Sequence, residues 1–173
     1  GINGKSSQLF GHADGTISDG NGHLITKHKS GIESLSCTMH GFICALEDGH
    51  LFAHTAKGEE IWSHQGNQIV EQTDGCMIGE NNSHWSARWD GLKGYLEVRN
   101  SLTGELIADM EVSQIRAICG DEKTIAVGCD DGGVILWQSE LLTRRLEEKS
   151  PQQQPVDSRK SALQAKLRAL RDK

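Results

Sequence analysis

The chain has 173 residues and a formal net charge of −6, with 36% hydrophobic and only 5% aromatic residues. No apolar run approaches the roughly 18–20 residues of a membrane-spanning helix, so no membrane contact is expected. Residues 1–138 carry nine basic against nineteen acidic side chains, whereas residues 139–173 carry nine against five, so nucleic acid would be bound only through the C-terminal tail.

A pattern of four short strands with the same turn signals recurs along the chain. The first copy lacks its first strand: its second and third strands, at 7–12 and 15–18, flank an Asp-Gly turn, and its fourth strand covers 22–26. The second copy is complete. Its four strands are predicted at 32–38, 42–46, 50–54 and 59–63.

The third copy is longer than the second, and the fourth is shorter. Ile32 and Ile69 are 37 positions apart, whereas Ile69 and Ile115 are 46 apart, so the segment 80–93 is interpreted as an inserted loop. The other strands of the third copy are predicted at 69–79 (interrupted at Gly75), 95–99 and 105–109. Those of the fourth copy are predicted at 115–119, 125–129 and 133–137, with no fourth strand.

A period of about 40 residues with four strands per unit is typical of β-propellers. The fold class is therefore predicted to be all-β, with about three and a half blades of four antiparallel strands. The motif Val134-Ile135-Leu136-Trp137-Gln138 resembles the end of a WD40 third strand. Over about residues 7–137 the chain resembles the WD40-type and quinoprotein-like β-propeller repeat superfamily.

The resemblance implies a closed ring, in which the last blade takes its outermost strand from elsewhere. A ring needs roughly 4–8 blades, so residues 1–138 are interpreted as the C-terminal half of a larger ring. The remaining blades would come from the same protein or from another chain. We also expect Leu136 and Trp137 to lie in a third strand whose outer side is paired by a segment absent from 138–173.

The cysteines are interpreted as buried structural residues, and the histidines as solvated residues or residues at the rim. All five cysteines fall in predicted strands without C-x-x-C spacing, which favours buried reduced thiols and an intracellular setting. His50 and His54 share one strand face, but their Cα atoms would be about 13 Å apart, too far for one ion. The other histidines considered, His40, His64 and His84, are expected in turns and loops. Asp-Gly pairs are interpreted as turns, and no catalytic, cofactor or metal site is predicted.

The inserted loop 80–93 carries Trp85, Arg88 and Trp89. Exposed Trp and Arg are enriched at binding hot spots, so these three residues are candidates for contact with a protein partner. The alternative is that one tryptophan folds back onto a neighbouring blade and shields its edge. The sequence leaves both interpretations open.

The C-terminal part divides into a polar linker, 139–157, and a basic amphipathic helix, 158–173. Three leucines with i, i+4, i+7 spacing form one narrow apolar stripe, with two arginines beside it. This helix would lie in a partner's groove, on a second copy or on the ring, and the alternative is a disordered tail. The candidate contact residues are Leu163, Leu167, Leu170, Arg168 and Arg171.

The function predicted from these features is a non-catalytic intracellular scaffold that holds protein partners on its loops and recruits another through the tail helix. Two alternatives remain open. One is a quinoprotein-like enzyme, or an enzyme subunit, with its site in the missing half of the ring. The other is a nucleic-acid-associated factor that uses the basic tail.

Overall fold

The structure is a computed structural model, and it describes residues 8–149. These residues form fourteen strands and one helix. In chain order the elements are β1 (Leu9–Gly11), β2 (Thr16–Asp19), β3 (Leu24–Lys27), β4 (Ile32–Cys37), β5 (Gly41–Leu46), β6 (His50–Thr55), β7 (Glu60–Gln65), β8 (Gln68–Ile78), β9 (Asn81–Trp89), β10 (Gly94–Asn100), β11 (Leu106–Val112), β12 (Ile115–Gly120), β13 (Thr124–Cys129), β14 (Val134–Gln138) and α1 (Ser139–Lys149).

The strands form four antiparallel sheets of consecutive strands, as predicted for propeller blades. Blade 1 is β1–β3, blade 2 is β4–β7, blade 3 is β8–β11 and blade 4 is β12–β14. The predicted turns are confirmed by their hydrogen bonds. In the turn before β14, for example, the side chain of Asp131 accepts a hydrogen bond of 2.8 Å from the Gly133 amide, so this acidic cluster stabilises a turn.

The second strand of blade 2 lies at the centre of the packing. Side chains alternate between the two faces of a strand, and every residue of β5 is buried. Phe42 and Cys44 pack with Ile17 of blade 1, whereas Ile43 and Ala45 belong to a cluster that includes Ile69 of blade 3. Burying one such side chain contributes roughly 1.5–3 kcal/mol, so both faces of β5 stabilise the stack of blades.

The predicted insertion is a hairpin extension. The segment expected to be a loop, 80–93, is mostly strand β9, which pairs with β8 and β10 along its length. Near the tip, the backbone amides of Cys76 and Met77 donate hydrogen bonds of 2.7 and 2.8 Å to the carbonyls of Asp121 and Glu122. The end of the extended β8–β9 hairpin therefore binds the turn of the next blade.

The segment after the last strand differs from its prediction. Ser139–Lys149, expected to be the first part of a polar linker, forms helix α1. Leu141–Leu146 is thus helical and adds no fourth strand to blade 4, while Leu136 and Trp137 do lie in its third described strand, β14. Within residues 8–149, no helix combines the length and the apolar character needed to cross a bilayer.

Candidate interaction site at the ends of three hairpins

Three turns from successive blades meet at one end of the sheets. Each connects the first and second strands of its blade: the β4–β5 turn, the extended β8–β9 hairpin and the β12–β13 turn. Together they enclose an open cavity of about 740 Å³, within the usual size range of ligand pockets. The lining residues are Cys37, Thr38, Met39, Asp74, Gly75, Asn82, Asp121, Glu122 and Lys123.

The walls of this pocket are held by main-chain and turn hydrogen bonds. The Asp121 carboxylate accepts hydrogen bonds of 2.8 and 2.9 Å from the amides of Lys123 and Thr124, which hold its pKa below the usual value. The Thr38 hydroxyl accepts hydrogen bonds of 3.2 and 3.1 Å from the amides of His40 and Gly41. Two of the three turns are thus held by hydrogen bonds within the turn itself.

Asp74 is the most perturbed acid of the pocket. It is half-buried, and burial raises its pKa to about 6, although a short hydrogen bond from the Ser101 hydroxyl acts in the opposite direction. Ser101 is itself buried and accepts a hydrogen bond of 3.0 Å from the Trp62 indole of blade 2 through its carbonyl. The acid is therefore held in place by a chain of contacts that reaches the neighbouring blade.

The chemistry of the pocket suits recognition of a cationic, partly apolar group. Three acidic residues, Asp74, Asp121 and Glu122, and one basic residue, Lys123, line the pocket. Met39 is 79% exposed at the rim, and exposed methionines adapt to irregular apolar surfaces. A Lys or Arg side chain entering beside the acids, with an apolar neighbour against Met39, would match both features.

Trp85 and Arg88 do not form an exposed hot spot, so this prediction is wrong. Both are buried, with 1% and 2% of their surface accessible. The Trp85 ring lies 5.5 Å from that of Trp137 in blade 4, and its indole N–H donates to the Ser83 hydroxyl at 2.8 Å. Trp89 is half-buried and lies in the paired part of β9. The structure thus matches the alternative interpretation, in which a tryptophan shields a neighbouring blade.

Arg88 connects blades 2 and 3. Its Nε donates to Glu97 at 2.8 Å, and one terminal nitrogen donates to the carbonyls of Gly49 at 2.9 Å and Asn67 at 2.6 Å. Gly49 lies in the β5–β6 turn of blade 2, whereas Glu97 lies in β10. Arg88 therefore supports the stack of blades.

The five tail residues proposed as partner contacts lie outside the described residues. They are Leu163, Leu167, Leu170, Arg168 and Arg171. The same holds for the whole predicted helix, 158–173.

Two histidines expected at the surface are buried. His84, expected in a loop, is fully buried in β9, and burial lowers its pKa to about 3, which keeps the imidazole neutral. His54 is buried beside His28 and Cys44, and the three offer ligand atoms within 4.8 Å of one another. The sequence analysis tested only His50 with His54 on one strand. It missed this group, because the group joins β5 and β6 of blade 2 to a residue of blade 1.

Two of the five cysteines are more exposed than predicted. All five cysteines lie in strands and are free, as expected, but Cys37 and Cys119 are exposed whereas Cys44 and Cys76 are buried.

Several solved structures share this fold. BBS1N, solved in complex with ARL6DN, is 15% identical with a TM-score of 0.62, and the match covers 75% of this chain and 45% of that one. The WD40 β-propeller domain of Doa1 is 15% identical with a TM-score of 0.58, covering 78% and 47%. BamB from Moraxella catarrhalis is 17% identical with a TM-score of 0.52, covering 77% and 42%.

These likenesses establish the fold class. The described residues form four antiparallel β-propeller blades, so the predicted resemblance to WD40-type and quinoprotein-like propellers is confirmed at the level of the fold. It spans less than half the length of each of the three solved chains. No known protein-family profile matches the sequence, and no curated protein does.

Proposed function

We propose that this chain is a non-catalytic propeller scaffold that binds a protein partner at the pocket formed by the three hairpin ends. The observation that carries the proposal is the meeting of turns from three blades around one acidic cavity. Loops held by a rigid framework are the usual place for recognition in such folds. The likeness to BBS1N, which was solved in complex with ARL6DN, supports a role in protein binding.

The partner segment is expected to carry a positive charge next to an apolar side chain. The acids of the pocket would attract a Lys or Arg and set its orientation more than its affinity. The apolar neighbour would cover the exposed side chain of Met39. Free rather than paired cysteines favour an intracellular setting for this interaction.

The end blades are proposed to contact further blades of the same protein or of another chain. Val134 and Leu136 of β14 are 69% and 65% exposed, and Phe10 and Leu24 of blade 1 are 49% and 63% exposed. Counted from the glycine before each strand, Val134 and Leu136 correspond to His50 and Phe52 of blade 2, which are half-buried. Apolar groups on the outer blades of a repeat array need cover, either by capping or by a next repeat.

A second contact is proposed for the tail helix. The stripe of Leu163, Leu167 and Leu170 would lie in a partner's groove, with Arg168 and Arg171 facing acidic groups at its rim. Each buried leucine contributes roughly 1.5–3 kcal/mol, which is enough in sum to order a short helix of high propensity. The variant Leu167→Glu and deletion of residues 158–173 should therefore cause the same loss of partner.

The pocket is tested in the full-length protein by reversing one charge. Glu122→Lys changes an exposed side chain, whereas the main-chain bond from Met77 to the Glu122 carbonyl is kept. Glu105→Lys, an exposed acid in the β10–β11 turn, is the matched control. Partners retained by each variant are quantified by affinity purification and mass spectrometry. We expect Glu122→Lys to lose partners that the control keeps; equal retention by both would contradict the proposed site.

A further inference from the structure

Three side chains with metal-binding atoms meet between blades 1 and 2. Cys44 and His54 lie on the paired strands β5 and β6, where Cys44 is opposite Phe52 and His54 is opposite Phe42, so the two are diagonal neighbours on one face. His28 follows β3 and comes from blade 1. Its Nε2 lies 3.1 Å from the His54 Nε2 and 3.5 Å from the Cys44 Sγ.

These distances match those around one tetrahedral ion. With metal–nitrogen bonds of about 2.0–2.1 Å and a metal–sulfur bond of about 2.3 Å, two nitrogens lie about 3.3 Å apart and nitrogen lies about 3.6 Å from sulfur. All three ligand atoms lie within 4.8 Å of one another, so a small side-chain adjustment would complete the geometry. By contrast, His50 and His54 are four residues apart along β6, about 13 Å between Cα atoms, which is too far for one ion.

The orientation of His54 also fits a ligand. Its Nδ1 lies 3.2 Å from the Gly58 carbonyl oxygen, which can only accept, so Nδ1 carries the hydrogen and Nε2 carries a lone pair. That lone pair is directed toward His28. Ligating histidines commonly donate their second ring N–H to a backbone carbonyl, which fixes the ring in the binding orientation.

The surroundings of the group allow an ion to enter from solvent. Cys44 and His54 are 0% and 3% exposed, whereas His28 is half-exposed and leaves a path from solvent. Phe52 packs 4.5 Å from the His28 ring and excludes water from one side.

We propose that His28, Cys44 and His54 bind one Zn²⁺, which links blade 1 to blade 2. Two imidazole nitrogens and one thiolate are a donor set that Zn²⁺ accepts readily, and the fourth position would take water or another ligand. On binding, the Cys44 S–H proton leaves to solvent, and the hydrogen on the His28 Nε2 moves to Nδ1, so one proton is released per ion. The site is independent of the partner pocket, which is formed by other residues.

The test uses the full-length protein freed of metal with a chelator. Zn²⁺ binding is measured by calorimetry, and Co²⁺ is the spectroscopic probe, because a cobalt–thiolate bond gives a charge-transfer band in the near ultraviolet. The ligand variants are His28→Gln, at a half-exposed position, and Cys44→Ala, a small apolar replacement. His50→Gln, on the same strand as His54 but outside the group, is the control.

We expect one Zn²⁺ per wild-type chain and a band with Co²⁺. Loss of a residue that only hydrogen-bonds to a metal ligand lowers metal affinity about 10–100-fold. Loss of the ligand itself, as in His28→Gln, should therefore lower Zn²⁺ affinity by at least about 100-fold, whereas His50→Gln should leave it unchanged. Cys44→Ala should abolish the Co²⁺ band, and near-ultraviolet circular dichroism shows whether each variant is folded. Absence of stoichiometric Zn²⁺ binding to the wild type, or equal effects of His28→Gln and His50→Gln, would overturn the proposal.

Discussion

Replacing Arg88 with methionine should destabilise the protein strongly, although methionine matches the length and apolar stem of arginine. The change removes the closer of two arginine partners of Glu97, because Arg99 also lies 3.4 Å from this carboxylate, and it removes the hydrogen bonds to the carbonyls of Gly49 and Asn67. Gly49 still accepts from the Gly66 amide at 3.3 Å. The main losses are therefore the ion pair with Glu97 and the bond to Asn67.

The size of the effect follows from burial. The Arg88 side chain is 1% exposed and that of Glu97 is 17% exposed. Breaking a buried pair by removing one partner costs about 3–5 kcal/mol, because the other charge stays buried. Because Arg99 still pairs with Glu97, the free energy of unfolding should fall by about 3 kcal/mol, the lower end of this range. With a urea dependence of about 2 kcal/mol per molar, the midpoint falls by about 1.5 M.

An exposed ion pair is the matched control, because it shows how much an ion pair contributes to stability without burial. Lys93 forms an ion pair of 2.7 Å with Glu111, but both side chains are more than half exposed. Exposed pairs contribute about 0–1 kcal/mol, so Lys93→Met should shift the midpoint only slightly. Urea unfolding of the full-length protein, followed by tryptophan fluorescence, measures both variants. A cost below about 1 kcal/mol for Arg88→Met would refute its role between the blades.

Three further changes test other features. Asp74→Asn should be as stable as wild type near pH 4 and more stable by about 1–3 kcal/mol at pH 8. Because the pKa of Asp74 is raised in the folded state, the neutral acid stabilises the wild-type fold below the pKa of the unfolded chain, and this stability is lost as pH rises through about 6. Urea unfolding at several pH values measures the difference. Trp85→Ala should cost about 3–5 kcal/mol and half-buried Trp89→Ala clearly less; equal costs would contradict their different burial. Gly49→Ala should lower the melting temperature more than Gly132→Ala. Both glycines have φ near +85°, but only at Gly49 would the new Cβ meet a neighbour, the Gly66 carbonyl oxygen at 2.3 Å.

The blade pattern could be predicted because turn chemistry marks it. In blade 2 the predicted strands agree with β4–β7 to within about two residues, since Gly49 and Gly58 fix where the strands must reverse. Strand β9 could not be predicted in the same way. Its buried positions include Ser83, His84 and Arg88, and such polar residues conceal the alternation that normally identifies a strand.

The candidate sites depended on pairings that a single sequence does not show. The pocket joins Met39, Asp74 and Glu122, which are far apart in the chain and meet only because successive blades stack. His28 and His54 meet for the same reason. One signal was available: once the turn at Gly49 is recognised, strand register alone places Cys44 and His54 on one face.

The hydrogen bonds from the tip of the β8–β9 hairpin to the next blade have an evolutionary consequence. The contact between blades 3 and 4 is formed by backbone atoms, because the carbonyls of Asp121 and Glu122 are the acceptors. Any substitution keeps these atoms, except proline at a donor position, which removes the N–H. The exposed side chain of Glu122 can therefore change without loosening the joint between blades 3 and 4. A descendant of this protein could alter which partners it selects at this rim while inheriting an unaltered scaffold.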